Sequence, residues 1–296
     1  MRARYLTFCA ALLLTIGATA QSTGGALSAQ KKASLVASIK KKAVGGDAAA
    51  QFQLAGLYEQ GFGVRQDYVQ VAFWYRKAAE QGNANAQDNL GWLYEDGRGV
   101  QQSFPEAAFW YRKAAVQGYA SAQNNLANLY ANGQGLAQDY VQAAFWYRKA
   151  AEQGAPNAQV QLGQQYENGH GVPQNYAEAA LWYRKAAEQN DSAGQFSLGL
   201  LYTQGQGVPQ SDAEAYFWLD VAAASTNGNS SPVATIRDSV AANLSPTELS
   251  QAQERAAKWF VGHPAPPCVQ TSDQTKTCYK TAKDMESVIN SEKEKP

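Results

Sequence analysis

Residues 73–82 read FWYRKAAEQG, and the same ten letters recur at residues 145–154. The first seven letters occur again at residues 109–115, and residues 181–187 read LWYRKAA. Each copy begins 36 residues after the one before it. Self-similarity at a fixed period of this length is typical of solenoids, in which each repeat packs on its neighbours. The sequence therefore predicts a tandem repeat, and five copies fit without insertion between residues 47 and 226.

Each repeat contains two amphipathic helical patterns joined by a glycine-rich turn. In the first copy, Ala50, Leu54, Leu57 and Tyr58 fall on one face of a helix. The turn Gly61-x-Gly63 follows, and glycine permits the positive φ that ends a helix. A capping residue then stands three positions before Glu or Gln in every copy. These pairs are Asp67/Gln70, Ser103/Glu106, Asp139/Gln142, Asn175/Glu178 and Ser211/Glu214.

The second helix of each repeat also carries a stop signal. Gly82, Gly118 and Gly154 follow it in three copies, and Asn190 takes that place in the fourth copy. Glycine and asparagine are the residues that tolerate the left-handed conformation at a helix C-terminus. One short helix pair cannot bury both of its faces, so we expect neighbouring pairs to stack.

These residues resemble the Sel-one-like (Sel1-like) repeat family, which is related to the tetratricopeptide repeats. The second copy fits the family pattern at Ala86, Leu90, Gly91, Tyr94, Gly97, Gly99, Val100, Ala107, Trp110, Tyr111, Ala114, Ala115 and Gly118. The resemblance implies an all-α, right-handed superhelical solenoid of helix-turn-helix repeats with helical caps. It also implies an adaptor that binds other proteins without a cofactor. The fifth copy departs from the pattern, with Asp220 and Val221 where the other copies carry Arg-Lys.

The regions outside the repeats predict an exported protein with capped ends. Residues 1–20 combine a basic start, an apolar run and Ala18-Thr19-Ala20, which together indicate a secretory signal peptide. Residues 21–46 are interpreted as a linker and capping helix, and residues 227–261 as a capping helix pair whose second helix starts at Ser245-Pro246. Residues 262–296 are expected to form a loosely ordered tail. We therefore expect a periplasmic or secreted location.

Two cysteines remain after the predicted cleavage, Cys268 and Cys278. A close pair of cysteines in an exported protein predicts a disulfide, with two free thiols as the alternative.

Composition argues against several classes of function. Cleavage after Ala20 removes two of 25 basic residues and none of the 25 acidic residues, which leaves the chain close to neutral. Such a chain lacks the basic surface that binds nucleic acid or anionic membranes. No segment after the signal peptide has the 18 consecutive apolar residues of a membrane span.

Catalytic and metal-binding patterns are weak in this sequence. The two histidines, His170 and His263, are far apart, which argues against a metal site or a nucleophile with its base. The recurring Trp and Tyr columns are interpreted as packing, with carbohydrate stacking as the alternative. The Arg-Lys columns are expected to form a solvated face near acids such as Glu80 and Glu152, with an acidic partner as the alternative. We predict no catalytic residue, no metal and no cofactor.

The candidate partner-binding residues are those that vary on the first helices while the scaffold stays constant. The resemblance places this helix on the concave side of the solenoid, and an exposed tryptophan in a groove often dominates binding. The candidates are Phe52, Gln53, Asp88, Asn89, Trp92, Asn124, Asn125, Asn128, Gln161, Gln164, Phe196 and Leu200. The alternative is that these side chains pack against neighbouring repeats.

The sequence therefore favours a non-catalytic scaffold that binds a protein or peptide in the bacterial envelope. Its amide side chains would hydrogen-bond the backbone of the partner. Two alternatives stay open: an enzyme acting on peptidoglycan or β-lactams, and a glycan-binding component of an exopolysaccharide system.

Overall fold

The structure, a computed structural model, describes residues 28–225 and 232–262, with two short segments at 268–270 and 276–278. These residues form thirteen helices and two strands. The helices are α1 (Ala29–Val44), α2 (Ala48–Gln60), α3 (Tyr68–Glu80), α4 (Ala84–Asp96), α5 (Phe104–Val116), α6 (Ala120–Asn132), α7 (Tyr140–Glu152), α8 (Pro156–Asn168), α9 (Tyr176–Ala187), α10 (Ser192–Gln204), α11 (Asp212–Ser225), α12 (Pro232–Ala241) and α13 (Pro246–Gly262). The strands are β1 (Cys268–Gln270) and β2 (Lys276–Cys278). The predicted signal peptide and most of the predicted tail lie outside the described residues.

The five predicted repeats are the helix pairs α2–α3, α4–α5, α6–α7, α8–α9 and α10–α11. Every first helix ends at a left-handed glycine, such as Gly61 with φ of 67°. The predicted stop residues of the second helices also have positive φ, including Asn190 at 62°. The sequence prediction of an all-α solenoid built from 36-residue helix pairs is confirmed.

The predicted caps of the second helices are formed in the structure. The carboxylate of Asp67 accepts hydrogen bonds from the backbone N–H groups of Val69 and Gln70, at 2.9 and 3.1 Å. Ser103, Asp139, Asn175 and Ser211 likewise cap their helices through side-chain oxygens. Each cap satisfies backbone donors that have no partner within the helix, so the local sequence fixes where the second helix begins.

The chain divides into two compact units between Gln117 and Gly118. In the first unit, each helix from α1 to α5 packs on the next one. In the second unit, the same holds from α6 to α12, and α13 packs on α11. Leucine and tyrosine columns form the core of each unit and bury large apolar side chains, which is the main source of stability. The fully buried members include Leu54, Leu57, Leu90, Leu93, Tyr75 and Tyr111 in the first unit, and Leu126, Leu129, Leu162, Leu198, Tyr147 and Tyr183 in the second.

Two glycine positions allow close contacts between elements. A Cβ atom on Gly99, in the turn after α4, would lie 1.9 Å from the carbonyl oxygen of Tyr68, the first residue of α3. A Cβ atom on Gly163 of α8 would lie 2.6 Å from the ring of Tyr183 on α9. Gly99 therefore allows its turn to pack directly against the preceding repeat. Gly163 leaves space for the buried tyrosine of its own repeat.

Within each unit, a buried glutamine on a first helix bonds to the preceding repeat. In the first unit, Gln87 donates to the carbonyl of Ala79 at 3.0 Å and accepts from Gln117 at 2.7 Å. In the second unit, Gln159 bonds to Ala151 and Gln189 in the same way. These bonds satisfy carbonyls at the C-terminus of the second helix, which have no partner within that helix.

The helices outside the repeats close the ends of the two units. On α1, Val36, Ile39 and Ala43 are buried, and α1 packs on α2. At the other end, α12 and α13 both pack on α11.

The two strands were not predicted from the sequence. They pair antiparallel with Cys268 opposite Cys278. Directly opposed residues in antiparallel strands have Cα atoms about 4.5–5.5 Å apart, which a disulfide can span. The disulfide itself stays a prediction, which the mass of the unreduced protein would test.

Candidate partner-binding surfaces

The variable positions of the first helices form three columns, each with a spacing of 36 residues. Column one contains Phe52, Asp88, Asn124, Val160 and Phe196; column two contains Gln53, Asn89, Asn125, Gln161 and Ser197; column three contains Gly56, Trp92, Asn128, Gln164 and Leu200. Helical periodicity places the three columns side by side on successive first helices within each unit.

Column one packs against the scaffold more than it faces solvent. Asp88 is only 3 % exposed and Val160 only 5 %. The ring of Phe52 lies 5.5 Å from the ring of Tyr75. The side-chain oxygen of Asn124 is buried without a hydrogen-bond partner among the described residues. We therefore assign Asp88 and its column chiefly to packing, because a buried side chain cannot reach a partner without rearrangement.

Columns two and three are half-exposed, apart from the buried Gly56. The side-chain amides of Gln53, Asn89, Gln161 and Gln164 make no hydrogen bond within the described part of the chain. The buried glutamines, such as Gln87, bond to the preceding repeat instead. Columns two and three therefore present amides that are available to a partner.

Trp92 in column three has a cationic neighbour. The guanidinium of Arg98 lies 5.0 Å from the centre of the Trp92 ring and also forms an ion pair with Asp96. The pKa of Arg98 is raised, first by its hydrogen bond to Tyr68 and also by Asp96. Trp92 is therefore a half-exposed aromatic surface with a fixed positive charge beside it.

Asn128 has an internal role that the sequence did not reveal. In three repeats the buried tyrosine of the second helix donates to a glutamate, as Tyr111 does to Glu95 at 2.6 Å. The third repeat has Ala131 in place of that glutamate, and Tyr147 donates to Asn128 at 2.6 Å. Burial raises the pKa of Tyr147, so its hydroxyl stays a donor. Asn128 therefore supports the core as well as facing the surface.

A second exposed surface lies on the second helices and was not among the predicted sites. At one position of the second helix, a large apolar side chain is about half exposed in each of the first four repeats, while the adjacent tryptophan is buried in all but the third repeat. The exposed residues are Phe73, Phe109, Phe145 and Leu181. A lysine one turn later approaches the phenylalanine ring, as Lys113 does at 4.6 Å from Phe109. Buried tryptophans favour the packing interpretation of that column over carbohydrate stacking.

The Arg-Lys columns were expected to form a solvated face, but three of their arginines also contact the next repeat. Arg184 donates to the hydroxyl of Tyr202 in the next repeat at 2.5 Å. Arg76 and Arg148 bond in the same way to Tyr94 and Tyr166. Each of the three guanidinium groups also lies over the tyrosine ring, 5.6–6.0 Å from its centre. The long arginine side chain reaches the neighbouring helix, so these residues connect repeats.

The described residues contain no group of three or more His, Cys, Asp or Glu that could hold a metal ion. His170 is exposed and stacks on Tyr140 with 4.5 Å between ring centres. His263 lies outside the described residues. The turn containing His170 follows the helix α8, whereas phosphate-binding loops follow a strand. Of the helices in the described ranges, none is both long and apolar enough to cross a membrane.

Comparison with known proteins places this architecture in a family. The model of the Sel1 repeat matches residues 48–83, 84–119, 120–154, 156–191 and 192–227. A protective antigen of uropathogenic Escherichia coli strains, which displays an SLR fold, is 34% identical with a TM-score of 0.64. That match covers 77% of this chain and 52% of the antigen, so the chain spans about half of the antigen's length.

A Sel1 repeat protein from Oxalobacter formigenes is 33% identical, again with a TM-score of 0.64. The match covers 75% of this chain and 83% of that protein. No curated protein matches the chain. Sel1 repeat proteins are generally protein-interaction scaffolds. The five matched repeats and the similarity to these two structures show that this chain belongs to the Sel1 repeat family.

Proposed function

We propose that this protein is a non-catalytic scaffold of the bacterial envelope that binds a protein or peptide through columns two and three of its first helices. The observation that carries the proposal is the set of uncommitted amides at Gln53, Asn89, Gln161 and Gln164. The first-helix position that is glutamine in all five repeats, such as Gln87, is instead buried in the scaffold. Amides that both donate and accept can bond the backbone of an extended segment without a charge requirement.

Trp92 supplies the apolar part of this surface in the first unit. Tryptophan is enriched among residues that dominate binding energy, because one rigid ring buries a large area. Arg98 holds a positive charge 5.0 Å from that ring. We expect a segment with one apolar side chain on Trp92 and a carboxylate near Arg98.

The location in the envelope rests on the signal-peptide pattern of residues 1–20. We propose a periplasmic or secreted protein, with an envelope or signalling protein as its partner.

Photocrosslinking in cells tests this proposal. A photoreactive amino acid replaces Trp92 in one variant, and in a control variant it replaces Val44, which is 69 % exposed and lies outside columns two and three. We expect one dominant protein crosslinked from position 92 and not from position 44. The variant Asn89→Asp/Gln53→Glu should remove that crosslink, because two amide donors become acceptors only.

The same experiment tests the two alternatives. Crosslinks from position 92 to polysaccharide alone would favour the glycan-binding function, and crosslinks to muropeptide would call for a hydrolysis assay. Equal crosslinking from positions 92 and 44 would contradict a binding surface on the first helices.

A further inference from the structure

The fifth repeat shows what covers the exposed face of a second helix. Helix α13 packs on α11, where Phe217 takes the place of the exposed phenylalanines and is only 5 % exposed. Trp259 meets the rings of Phe217 and Trp218, with centres 5.9 and 5.3 Å apart. Ala252 and Ala256, also on α13, are buried. An amphipathic helix with small residues and one tryptophan therefore fits this face.

A charged contact fixes the position of that helix. Arg255 donates two hydrogen bonds to the carboxylate of Glu214, at 2.7 and 3.2 Å, and its guanidinium lies 4.6 Å from the centre of the Phe217 ring. The bonds to Glu214 raise the pKa of Arg255, with a smaller contribution from nearby Tyr202. Arg255 therefore binds Glu214 and packs on Phe217, on the side of the helix that faces Tyr202 of the same repeat. Bidentate pairs of this kind specify geometry as well as charge.

The second repeat contains the same three residues with Phe109 exposed, and Arg76 bonds to Tyr94 there as Arg184 bonds to Tyr202 in the fifth repeat. Glu106, Phe109 and Tyr94 stand 108 residues before Glu214, Phe217 and Tyr202. An open pocket of about 510 Å³ is lined by Arg76, Tyr94 and Glu106, among other residues, and its acidic group is Glu106. Phe109 is 50 % exposed. The ring of Phe109 meets Trp110 edge-to-face at 5.0 Å, close to the 4.8 Å of Phe217 and Trp218.

We propose that the outer face of the second repeat, formed by Tyr94, Glu106 and Phe109, is a docking site for an amphipathic helix of a partner protein. That helix carries an arginine and an aromatic residue four positions apart, as Arg255 and Trp259 are on α13. The arginine binds Glu106 in the pocket, and the aromatic residue covers Phe109. This surface is separate from columns two and three, so the protein has two independent binding surfaces.

One difference between the two repeats defines the partner further. The fifth repeat has Val221, buried beneath the C-terminal helices, where the second repeat has Lys113. The ammonium of Lys113 lies 4.6 Å from the centre of the Phe109 ring. A carboxylate on the partner helix near Lys113 would strengthen the contact without being required for binding, whereas α13 meets an apolar side chain at that position.

Binding of a peptide to the full-length protein tests the site. The probe is a fluorescent peptide with the sequence of residues 245–262, which contains the arginine and the tryptophan. We expect Phe109→Ala and Glu106→Lys each to weaken binding roughly tenfold, because the first removes the aromatic contact and the second places two positive charges together. A peptide with Arg255→Glu should regain most of the lost affinity for the Glu106→Lys protein.

Matched controls identify the repeat that binds. Gln142 takes the place of Glu106 in the third repeat, so Gln142→Lys should leave the affinity for the peptide unchanged. The Trp92→Asp variant should also bind as the wild type does, which separates this site from the proposed function. Circular dichroism checks that each variant is folded. The proposal is overturned if the peptide does not bind, if Glu106→Lys has no effect, or if the charge-reversed peptide fails to restore binding.

Discussion

The second and fifth repeats have the same second-helix face but different surroundings. Both place a glutamate, a phenylalanine and a tryptophan on that face, yet Phe109 is 50 % exposed and Phe217 is 5 % exposed. Phe217 is covered by Trp259 and Arg255 of α13, and the fifth repeat also lacks the Arg-Lys pair. In the fifth repeat, Val221 replaces the lysine and is buried, and Asp220 replaces the arginine and forms an ion pair with Arg237 of α12 at 3.0 Å.

A few substitutions therefore distinguish the terminal repeat from the internal ones. An arginine at position 220 would face Arg237, and a lysine at position 221 would bring a charge into an apolar contact. The buried glutamine of the fifth repeat also marks the end, because the side-chain oxygen of Gln195 has no partner within the described residues. Position 225, where the other repeats have the donor glutamine, is serine.

Among the variants that test this comparison, Val221→Lys should have the largest effect on stability. It returns the fifth repeat to the pattern of the others and places an ammonium at a position that is 1 % exposed. We expect the free energy of unfolding to fall by about 3 kcal/mol. If the docking of α13 contributes less than this, the fall should equal the docking energy. Urea denaturation followed by tryptophan fluorescence measures the change. The control Lys149→Val, at an exposed position, should change stability by less than about 0.5 kcal/mol. An unaltered urea midpoint in Val221→Lys would contradict the apolar contact.

The substitution Trp259→Ala should have the next largest effect. The side chain is partly buried, meets Phe217 and Trp218, and donates from its indole nitrogen to Asn190 at 3.2 Å. We expect the free energy of unfolding to fall by about 2 kcal/mol, which is less than the usual cost of replacing a fully buried tryptophan by alanine. The matched variant Trp259→Phe keeps a ring and loses the hydrogen bond, so about half of the effect should remain. Equal losses in both variants would assign the contribution to the hydrogen bond with Asn190.

The sequence predicted the repeats well because each repeat is a local structure. Capping residues such as Asp67 and the left-handed Asn190 act within a few residues, so their roles can be recognised without neighbours. The fivefold recurrence also made chance matches easy to discount. The all-α fold and the helix pairs followed directly from these signals.

Side-chain contacts between helices were harder to predict. Arg184 was assigned to solvent, yet it reaches Tyr202, 18 residues further along the chain. Asn128 was chosen as a contact residue because it varies, although the loss of a glutamate at Ala131 gives it a partner in Tyr147. Periodicity identifies which positions share a column, but it does not say which side chains meet across columns. One usable signal was present: Ala131 and Asn128 depart from the pattern in the same repeat.

The ion pair between Arg255 and Glu214 should contribute less to stability than the apolar contacts of α13 do. Both side chains are partly exposed, 48 % and 33 %, so solvent screens their attraction. A double-mutant cycle with Arg255→Ala and Glu214→Gln should give a coupling of about 0.5 kcal/mol that decreases in high salt. Lys258 and Glu254 on the same helix form a more exposed pair, which serves as a control with weaker coupling. A coupling independent of salt would instead indicate that the Arg255 side chain acts through its packing on Phe217.

The smallest expected effect is a pH dependence of stability that comes from the N-terminal cap of α13. Glu248 accepts hydrogen bonds from the hydroxyl and the backbone N–H of Ser245, at 2.7 and 3.0 Å, and these bonds lower its pKa from 4.5. A carboxylate whose pKa is lowered in the folded state stabilises the fold above the unfolded pKa. That contribution is lost as the pH falls through the lower, folded pKa.

Lowering the pH while recording tryptophan fluorescence measures how the docking of α13 depends on pH. In Glu248→Gln the cap keeps an acceptor without a titrating group, so the dependence below about pH 4.5 should become weaker. In the third repeat, Gln142 already occupies the equivalent position of the α7 cap, and its amide does not titrate. An acid transition of α13 that is the same in the wild type and in the Glu248→Gln variant would place the titrating group elsewhere.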